Sequence, residues 1–378
     1  MTGPAVTEEM RPVNLPAEPL FFRPIYKETI WGGAALRTRF KRPIAPGRAV
    51  GESLEVVSLG ADQSMVAQGP LAGVTLGRLA AEEPAALFGD IGASGDFPLL
   101  FKIIDASERL SVQVHPDDAA ALEHGWGRNG KTECWYVIDA KENARIVAGF
   151  REEVTRERIN RAIETDALDL LLNVIPVKRG DVLFVPAGTV HAIMEGALLY
   201  EVQETSDATL RLYDWGRVDA AGKSRPLHVR EALSVIDTHA HDHRPITPIV
   251  IDEGGCAHSF LAACRYFALE QYSFSRDQEL VLPLKKSFRV LTVINGAIRL
   301  SYPAGSAEVV AGATVVLPAI LRDVRVSGTA GADVLISSVP DLQQEIIAPF
   351  RRQGIPDTAI AHLGGFPERN DLTKFLSL

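Results

Sequence analysis

Short runs of apolar and alternating residues, separated by Gly, Pro and Asp, follow one another along the chain from residue 20 onward. The clearest are SLEVVSL (53–59), PLLFKIID (98–105), RLSVQVH (109–115), ECWYVID (133–139) and ARIVAGF (144–150). Runs of this length and spacing are typical of strands in a β-sandwich or barrel. The pattern therefore predicts a mainly β fold.

Helical spacing of apolar residues interrupts these strands in two places. The stretches are TLGRLAAEEPAALFG (75–89) and TRERINRAIETDALDLLLNV (155–174), and the second opens on Thr155, a favourable N-cap residue. We expect helical insertions at about 75–90 and 153–174. A third helical pattern, RPLHVREALSVID (225–237), closes this part of the chain.

The polar and Gly- or Pro-containing stretches also suggest how the chain divides into domains. At 378 residues it exceeds the size at which one hydrophobic core usually stops growing. We expect a loose tail at 1–18, a first domain at 19–240, a second at 241–345 and a C-terminal extension at 346–378. The polar stretch THAHDHRP (238–245) marks the boundary between the two domains.

One frame occurs twice. Gly180 and Pro186 enclose an apolar strand, and Gly312 and Pro318 enclose another with the same spacing. Two copies of one β-sandwich explain the repeat most economically. The second copy has no histidine after Pro318 and no His-x-His in FRVLTVINGAIRLSY, so we expect it to be metal-free and to cover one face of the first.

Composition and charge narrow the class of ligand. The formal net charge of −9 argues against general binding to nucleic acid or anionic membranes, which requires a broad basic surface. The three cysteines form no CxxC motif, and no export signal or apolar span is visible, so we expect a cytoplasmic protein. The sequence leaves the oligomeric state open.

Polar side chains share one face of the predicted strands. Ser111, Gln113 and His115 alternate with valines, and Glu133 shares a strand face with Lys131. With His191, which follows a Pro-x-Gly turn, these donors suit a divalent ion, Zn²⁺ first and Fe²⁺, Mn²⁺ or Co²⁺ as alternatives. The competing interpretation of Gln113 and His115 is a core pair whose side chains satisfy each other.

Two other stretches resemble ligand sites. HAHDH (239–243) has metal-like spacing, but it lies at a polar junction and we interpret it as a solvated linker. EHGWGRNGKTE (123–133) is rich in glycine, but it lacks the phosphate-loop spacing and a strand follows it instead of a helix. We therefore predict no nucleotide site.

The frame Gly180-x5-Pro186-x-Gly188-x2-His191 matches the second signature of the cupin sandwich, and Gln113 stands where the first signature usually has histidine. Beyond this, the chain resembles type I mannose-6-phosphate isomerases, specifically their short bacterial form. The stretches that carry the resemblance are ETIWGG (28–33), GESLEV (51–56), PLLFKIIDASERLSVQVHPDD (98–118), GKTECWYVIDA (130–140), GDVLFVPAGTVHAI (180–193) and YEVQETSDATLRLYDWGR (200–217).

The resemblance implies two cupin-type jelly-roll β-sandwiches with α-helical insertions and one zinc ion per chain. It also implies the isomerisation of mannose 6-phosphate to fructose 6-phosphate, with a small-molecule sugar phosphate as the ligand. The implied residues are Gln113, His115, Glu133 and His191 as metal ligands, Arg211, Lys131 and Glu201 as catalytic groups, and Ser111, Lys102 and Arg217 as substrate contacts.

The reaction itself constrains these roles. It removes a proton from C2, passes through an enediol and returns a proton to C1. Glu201 is the best carboxylate candidate for the base, because we expect it on a strand that lies beside His191. Arg211 offers a donor fork to phosphate or enediolate oxygens, unless it pairs with Asp207 or Asp214 at the rim.

Two other classes of function stay open at this point. One is a metal-dependent cupin dioxygenase, and the other is a sugar-phosphate-binding cupin without catalysis. The extension at 346–378 has no functional interpretation from sequence.

Overall fold

Antiparallel strands form most of the structure, a computed structural model that describes residues 12–91, 95–218, 222–282, 287–366 and 369–378. The strands of the first half are β1 (Leu20–Phe21), β2 (Ile25–Gly33), β3 (Val50–Val56), β4 (Ser58–Leu59), β5 (Asp62–Gln63), β6 (Leu99–Ala106), β7 (Val112–Val114), β8 (Glu133–Ala140), β9 (Arg145–Phe150), β10 (Leu172–Pro176), β11 (Val182–Val185), β12 (His191–Ile193), β13 (Ala197–Glu204) and β14 (Leu210–Tyr213). Those of the second half are β15 (Ile249–Asp252), β16 (Cys256–Ala263), β17 (Ala268–Phe274), β18 (Gln278–Leu282), β19 (Arg289–Asn295), β20 (Ala297–Tyr302), β21 (Gly305–Val310), β22 (Thr314–Leu317), β23 (Val324–Gly328) and β24 (Asp333–Ser338).

Short helices connect or cover these strands. They are α1 (Ala35–Phe40), α2 (Leu76–Glu82), α3 (Pro84–Phe88), α4 (Asp118–Glu123), α5 (Arg156–Glu164), α6 (Val229–Val235), α7 (Ala348–Arg352) and α8 (Asp357–His362). Single 3₁₀ turns lie at Gly89–Ile91, Leu168–Leu170 and Thr373–Phe375, and a π-helical stretch at Leu342–Ile347 precedes α7. Within the described ranges, no helix is long and apolar enough to span a membrane.

The first sandwich is built from two facing sheets. Its six-stranded sheet has the order β11-β8-β13-β6-β3-β2, and its five-stranded sheet has the order β10-β9-β12-β7-β14. Their inner faces pack Trp135, Val137 and Leu199 against Ile146 and Ile193. Two antiparallel sheets around one apolar core form the double-sheet jelly roll of cupins, so the fold class predicted from sequence is confirmed.

The second sandwich repeats this plan. Its seven-stranded sheet runs β1-β22-β19-β24-β17-β16-β15, and its four-stranded sheet runs β18-β23-β20-β21. The repeated frame has the same local structure in both halves. Gly180 and Gly312 both adopt left-handed backbone, with φ of 90° and 89°, and strands β11 and β22 follow them.

The two sandwiches share an apolar core between the six-stranded and seven-stranded sheets. The rings of Phe97 and Phe288 lie 4.6 Å apart there, and the hydroxyl groups of Tyr200 and Ser337 lie 3.3 Å apart. The second sandwich thus covers the outer face of the sheet that carries Glu133.

Three details differ from the sequence-based expectations. Thr155 caps α5 by accepting a hydrogen bond from the Arg158 N–H (3.2 Å), but the helix ends at Glu164 and residues 172–176 form strand β10. Within the predicted loose tail, residues 1–11 lie outside the described ranges, whereas Val13 and Leu15 are buried in the core. Strand β1 belongs to the second sandwich and not to the first, because it pairs with β22.

Candidate metal centre

Three buried side chains meet at one end of the first sandwich. Glu133 begins β8, His191 begins β12, and His115 follows β7 directly. All three are at most 1% exposed, and one ligand atom from each lies within 4.8 Å of the others. Strands of both sheets therefore bring together residues from distant parts of the chain, since His115 and His191 are 76 positions apart.

The two imidazoles are oriented by backbone carbonyls. His115 Nδ1 lies 2.9 Å from the Ala208 oxygen, and His191 Nδ1 lies 2.8 Å from the Thr189 oxygen. A carbonyl can only accept, so each Nδ1 carries the proton and each Nε2 keeps its lone pair. The Nε2 atoms lie 3.6 Å and 3.2 Å from the two Glu133 oxygens, an arrangement common around bound metals.

The protonation states also fit a divalent cation. Burial, followed by the nearby Lys131 charge, lowers the pKa of His115 to about 3, and burial lowers the pKa of His191. Burial alone would raise the pKa of Glu133, but Lys131 and the two imidazoles outweigh it and lower that pKa well below its usual value. Neutral imidazoles and an ionised carboxylate are the forms that bind metal.

Unsatisfied atoms point to the same conclusion. Considering only the described residues, both Glu133 oxygens and His191 Nε2 are buried without a hydrogen-bond partner. Leaving such atoms unpaired in a protein interior costs free energy. The residues present thus fit a divalent cation.

Gln113 lies beside this cluster. It is the central residue of β7, and its Cα pairs with His191 on one side and with Arg211 on the other. Its side chain is half-buried. The strand register therefore places the amide next to one of the two imidazoles.

Lys131 lies within the cluster itself. Its Nζ is 2.9 Å from a Glu133 oxygen and 3.1 Å from His115 Nε2, and the residue is 5% exposed. Of its two neighbours, Glu133 and His115, Glu133 supplies the carboxylate that balances this buried ammonium. Removing either partner would leave a buried charge uncompensated.

Glu201 is buried on the neighbouring strand. It pairs with Trp135 of β8, so it lies beside the strand of Glu133 and not, as expected from sequence, beside that of His191. One oxygen accepts a hydrogen bond from the Trp135 indole (3.0 Å), and the other lies 3.2 Å from Lys102 Nζ. Burial raises the pKa of Glu201 despite the opposing Lys102 charge.

Lys102 also lies 3.8 Å from Glu52. Burial would lower the pKa of Lys102, but the charges of Glu201 and Glu52 outweigh it and raise that pKa. Sequence reasoning missed Trp135 and Glu52. Trp135 shares the strand face of Glu133, and Glu52 lies in the stretch GESLEV, so both signals were present in the sequence.

Arg211 lies at the half-exposed edge of the five-stranded sheet. Its Nε donates to the Ser111 hydroxyl (3.3 Å) and its Nη1 to the Pro226 carbonyl (3.0 Å). The rim carboxylate Asp214 is bound instead by Arg225 (2.6 Å) and by Arg217.

Arg217 is engaged on several sides. Its Nε donates to an Asp214 oxygen (3.1 Å), and its Nη1 donates to the Arg109 carbonyl. The structure therefore brings Ser111 and Arg211 together, while Arg217 is held in a separate ion pair with Asp214.

The junction HAHDH is only partly solvated. The side chain of His239 is 68% exposed, but His241 stacks on Phe366 with 4.2 Å between ring centroids. Asp237, His239 and His241 form a second group that could hold a metal ion. Arg369 Nε lies 3.0 Å from the Asp237 carboxylate, however, and already supplies it with a positive charge.

A buried set of two imidazoles and one carboxylate inside a double-sheet jelly roll defines a cupin-fold protein with a candidate divalent-metal centre. The chain belongs to the type I phosphomannose isomerase family. The family description "Phosphomannose isomerase type I, catalytic domain" matches residues 20–134.

Individual relatives support the same family assignment. Mannose-6-phosphate isomerase ManA of Bacillus subtilis is 41% identical over 290 residues, which cover 75% of this chain and 87% of that protein. The mannose-6-phosphate isomerase of Streptococcus mutans is 41% identical over 259 residues, covering 68% and 80%. The crystal structure of a Bacillus subtilis mannose 6-phosphate isomerase superposes with a TM-score of 0.77 at 36% identity, covering 84% of this chain and 99% of that one.

Proposed function

We propose that this protein is a zinc-dependent aldose–ketose isomerase that interconverts mannose 6-phosphate and fructose 6-phosphate. The observation that carries the proposal is the buried cluster of His115, Glu133 and His191, whose ligand atoms lie within 4.8 Å of one another. The names of the relatives, which are mannose-6-phosphate isomerases, support the choice of substrate.

In this proposal Gln113, His115, Glu133 and His191 hold the cation. A cation held there would supply Lewis-acid stabilisation of the negative charge that develops on the substrate during proton transfer. The cluster is closed off from water on the side of the apolar core, where such electrostatic stabilisation is stronger than in bulk solvent.

Glu201 is the proposed base. Its carboxylate takes the proton from C2 and returns one to C1, while the hydroxyl proton of O2 is lost and O1 gains one, so the sugar gains and loses no atoms overall. The raised pKa makes this carboxylate a stronger proton acceptor than an exposed one. The Trp135 N–H and Lys102 Nζ each hold one oxygen and so fix the direction of the carboxylate.

Lys131, Arg211 and Ser111 complete the proposed site. Lys131 places a buried positive charge beside Glu133 and can donate to a sugar oxygen during ring opening. Arg211 and Ser111 lie together at the half-exposed edge, where a guanidinium fork suits phosphate or enediolate oxygens. Lys102 and Arg217 add positive charge for an anionic substrate, although both already pair with carboxylates.

The proposed compartment is the cytoplasm. Cys134, Cys256 and Cys264 are all free thiols, which suits a reducing environment.

An assay on mannose 6-phosphate, run with and without a chelator, tests the proposal. We expect fructose 6-phosphate to form, activity to disappear with the chelator and to return with Zn²⁺, and the rate to be the same without oxygen. Proton NMR in deuterated water should show exchange at C2. Turnover that requires oxygen would indicate a dioxygenase, and binding without C2 exchange would indicate a non-catalytic sugar-phosphate protein.

A further inference from the structure

The turn between Val185 and His191 carries one histidine of the metal centre and contacts the other. The Gly188 N–H donates to the backbone oxygen of His115 (2.8 Å). His191 Nδ1 bonds to the Thr189 carbonyl within the same turn (2.8 Å). The turn therefore carries the His191 imidazole and holds the backbone of His115.

Arg369, in the C-terminal extension, binds this turn from the outside. Its Nη1 donates to the Ala187 carbonyl, and its Nε lies 3.0 Å from the Asp237 carboxylate. The Asp237 N–H donates in turn to the Gly188 carbonyl (2.8 Å). Two consecutive carbonyls of the turn are thus held, one by Arg369 and the next by its ion-pair partner.

The contact depends on a glycine in the turn. Gly188 has a φ of +84°, a conformation that other residues rarely adopt. A Cβ atom at this position would lie 2.5 Å from Arg369 Nη1. The guanidinium therefore packs directly against the backbone, in space that any other side chain would occupy.

The segment that presents Arg369 is itself anchored. The Asn370 side chain donates to the Ala361 carbonyl of α8 (2.6 Å), and Asp371 accepts a hydrogen bond from the Arg265 N–H of the second sandwich (3.1 Å). Arg369 is therefore held by a fixed support, and movement of the turn would break its contacts.

We propose that Arg369 is a positioning residue for the metal centre: by holding the turn at 186–190, it keeps His191 and His115 where they can bind the cation together. The expected effect on turnover rests on the proposed function. The expected effect on metal affinity does not, because it can be measured without substrate.

The test is a titration of apo protein with Zn²⁺ against a competing chelator. All variants carry His239→Ala, which removes one ligand of the second group, Asp237, His239 and His241. We expect Arg369→Ala to bind Zn²⁺ about tenfold more weakly than its His239→Ala parent, as is typical when an outer contact of a metal ligand is lost. On mannose 6-phosphate, kcat should fall while KM changes little, because Arg369 does not reach the substrate.

Two further variants separate positioning from general stability. The zinc affinity of Arg369→Lys should fall between that of the parent and that of Arg369→Ala, because an ammonium can pair with Asp237 but lacks the guanidinium fork. Arg351→Ala is the matched control, since Arg351 lies in the same extension but pairs with Asp357 (2.6 Å), and it should leave zinc affinity unchanged.

Equal zinc affinity of folded Arg369→Ala and its parent would overturn the proposal. If Arg369→Ala does not fold, Arg369→Lys, which lacks the guanidinium fork, takes its place, and unchanged affinity there has the same meaning. If zinc binding weakens as expected but the parent does not convert mannose 6-phosphate, the proposed function fails and the positioning role stands.

Discussion

Replacing Lys131 with methionine would leave the Glu133 carboxylate without its ammonium partner while keeping most of the volume filled. The two groups lie 2.9 Å apart, and their side chains are 6% and 0% exposed. Removing one partner of a buried pair costs about 3–5 kcal/mol. For a chain of 378 residues, with an unfolding entropy of about 2.1 cal/mol/K per residue, this is a fall in Tm of about 4–6 °C.

The size of this fall should depend on metal. In the zinc-loaded protein the cation faces the same carboxylate and compensates its charge, so Lys131→Met should lower Tm by less than half as much as in the apo protein. Scanning calorimetry of both forms measures the difference. Lys27→Met is the control, because Lys27 pairs with Asp62 on the surface, where about 0–1 kcal/mol is expected in either form.

Equal losses of Tm in the apo and zinc-loaded forms would refute this reasoning. They would mean either that Lys131 does not compensate Glu133 or that the cation does not bind beside it.

Three further outcomes are expected. Arg211→Ala should keep its zinc but turn over about a hundredfold more slowly, the effect typical of losing one oxyanion donor, whereas His191→Ala should lose both zinc and turnover. Metal analysis and steady-state kinetics measure the two effects. Equal zinc loss in the two variants would mean that Arg211 has a structural role. Trp135→Phe removes the N–H that favours ionised Glu201, so the acid limb of the pH–rate profile should move to higher pH, and an unmoved limb would exclude this role. Burial, followed by a nearby carboxylate, raises the pKa of Glu204 from about 4.5 to about 8. The folded state then binds this proton more tightly, so stability present below about pH 4.5 is lost as the pH rises to about 8. Over this pH range the urea midpoint should decline less for Glu204→Gln than for the unaltered protein. An equal decline would contradict the raised pKa of Glu204.

Features that depend on neighbouring residues could be predicted from the sequence. Thr155 caps a helix because its hydroxyl reaches an N–H three residues later. Gly180 and Pro186 enclose a strand because a left-handed turn and a missing N–H both stop strand pairing. Alternation along β7 and β8 predicted which polar side chains share a face, whereas the preference for a metal centre over a satisfied core pair came from the cupin signature that ends at His191.

Features that depend on distant strands could not be predicted from the sequence. Residues 172–176 have helical spacing, but they form a strand because β9 pairs with them, and tertiary pairing outweighs local preference. The environment of Glu201 depends on the strand order β8-β13-β6, which places Trp135 on one side and Lys102 on the other. The ion pair of Arg217 with Asp214 shows in the same way that a cation near the site need not be free to bind substrate.

The pairing of Leu20 with Val316 has a consequence for synthesis of the chain. An edge of the second sandwich is closed by a strand whose partner follows about 300 residues later in the chain. At about 5–20 residues per second the first strand waits roughly 15–60 s for that partner. Phe21 and Phe22 can meet their other partners, Ala67 and Val66, much earlier, so the N-terminal segment can be held on the first half of the chain while its edge of the second sandwich is still unformed.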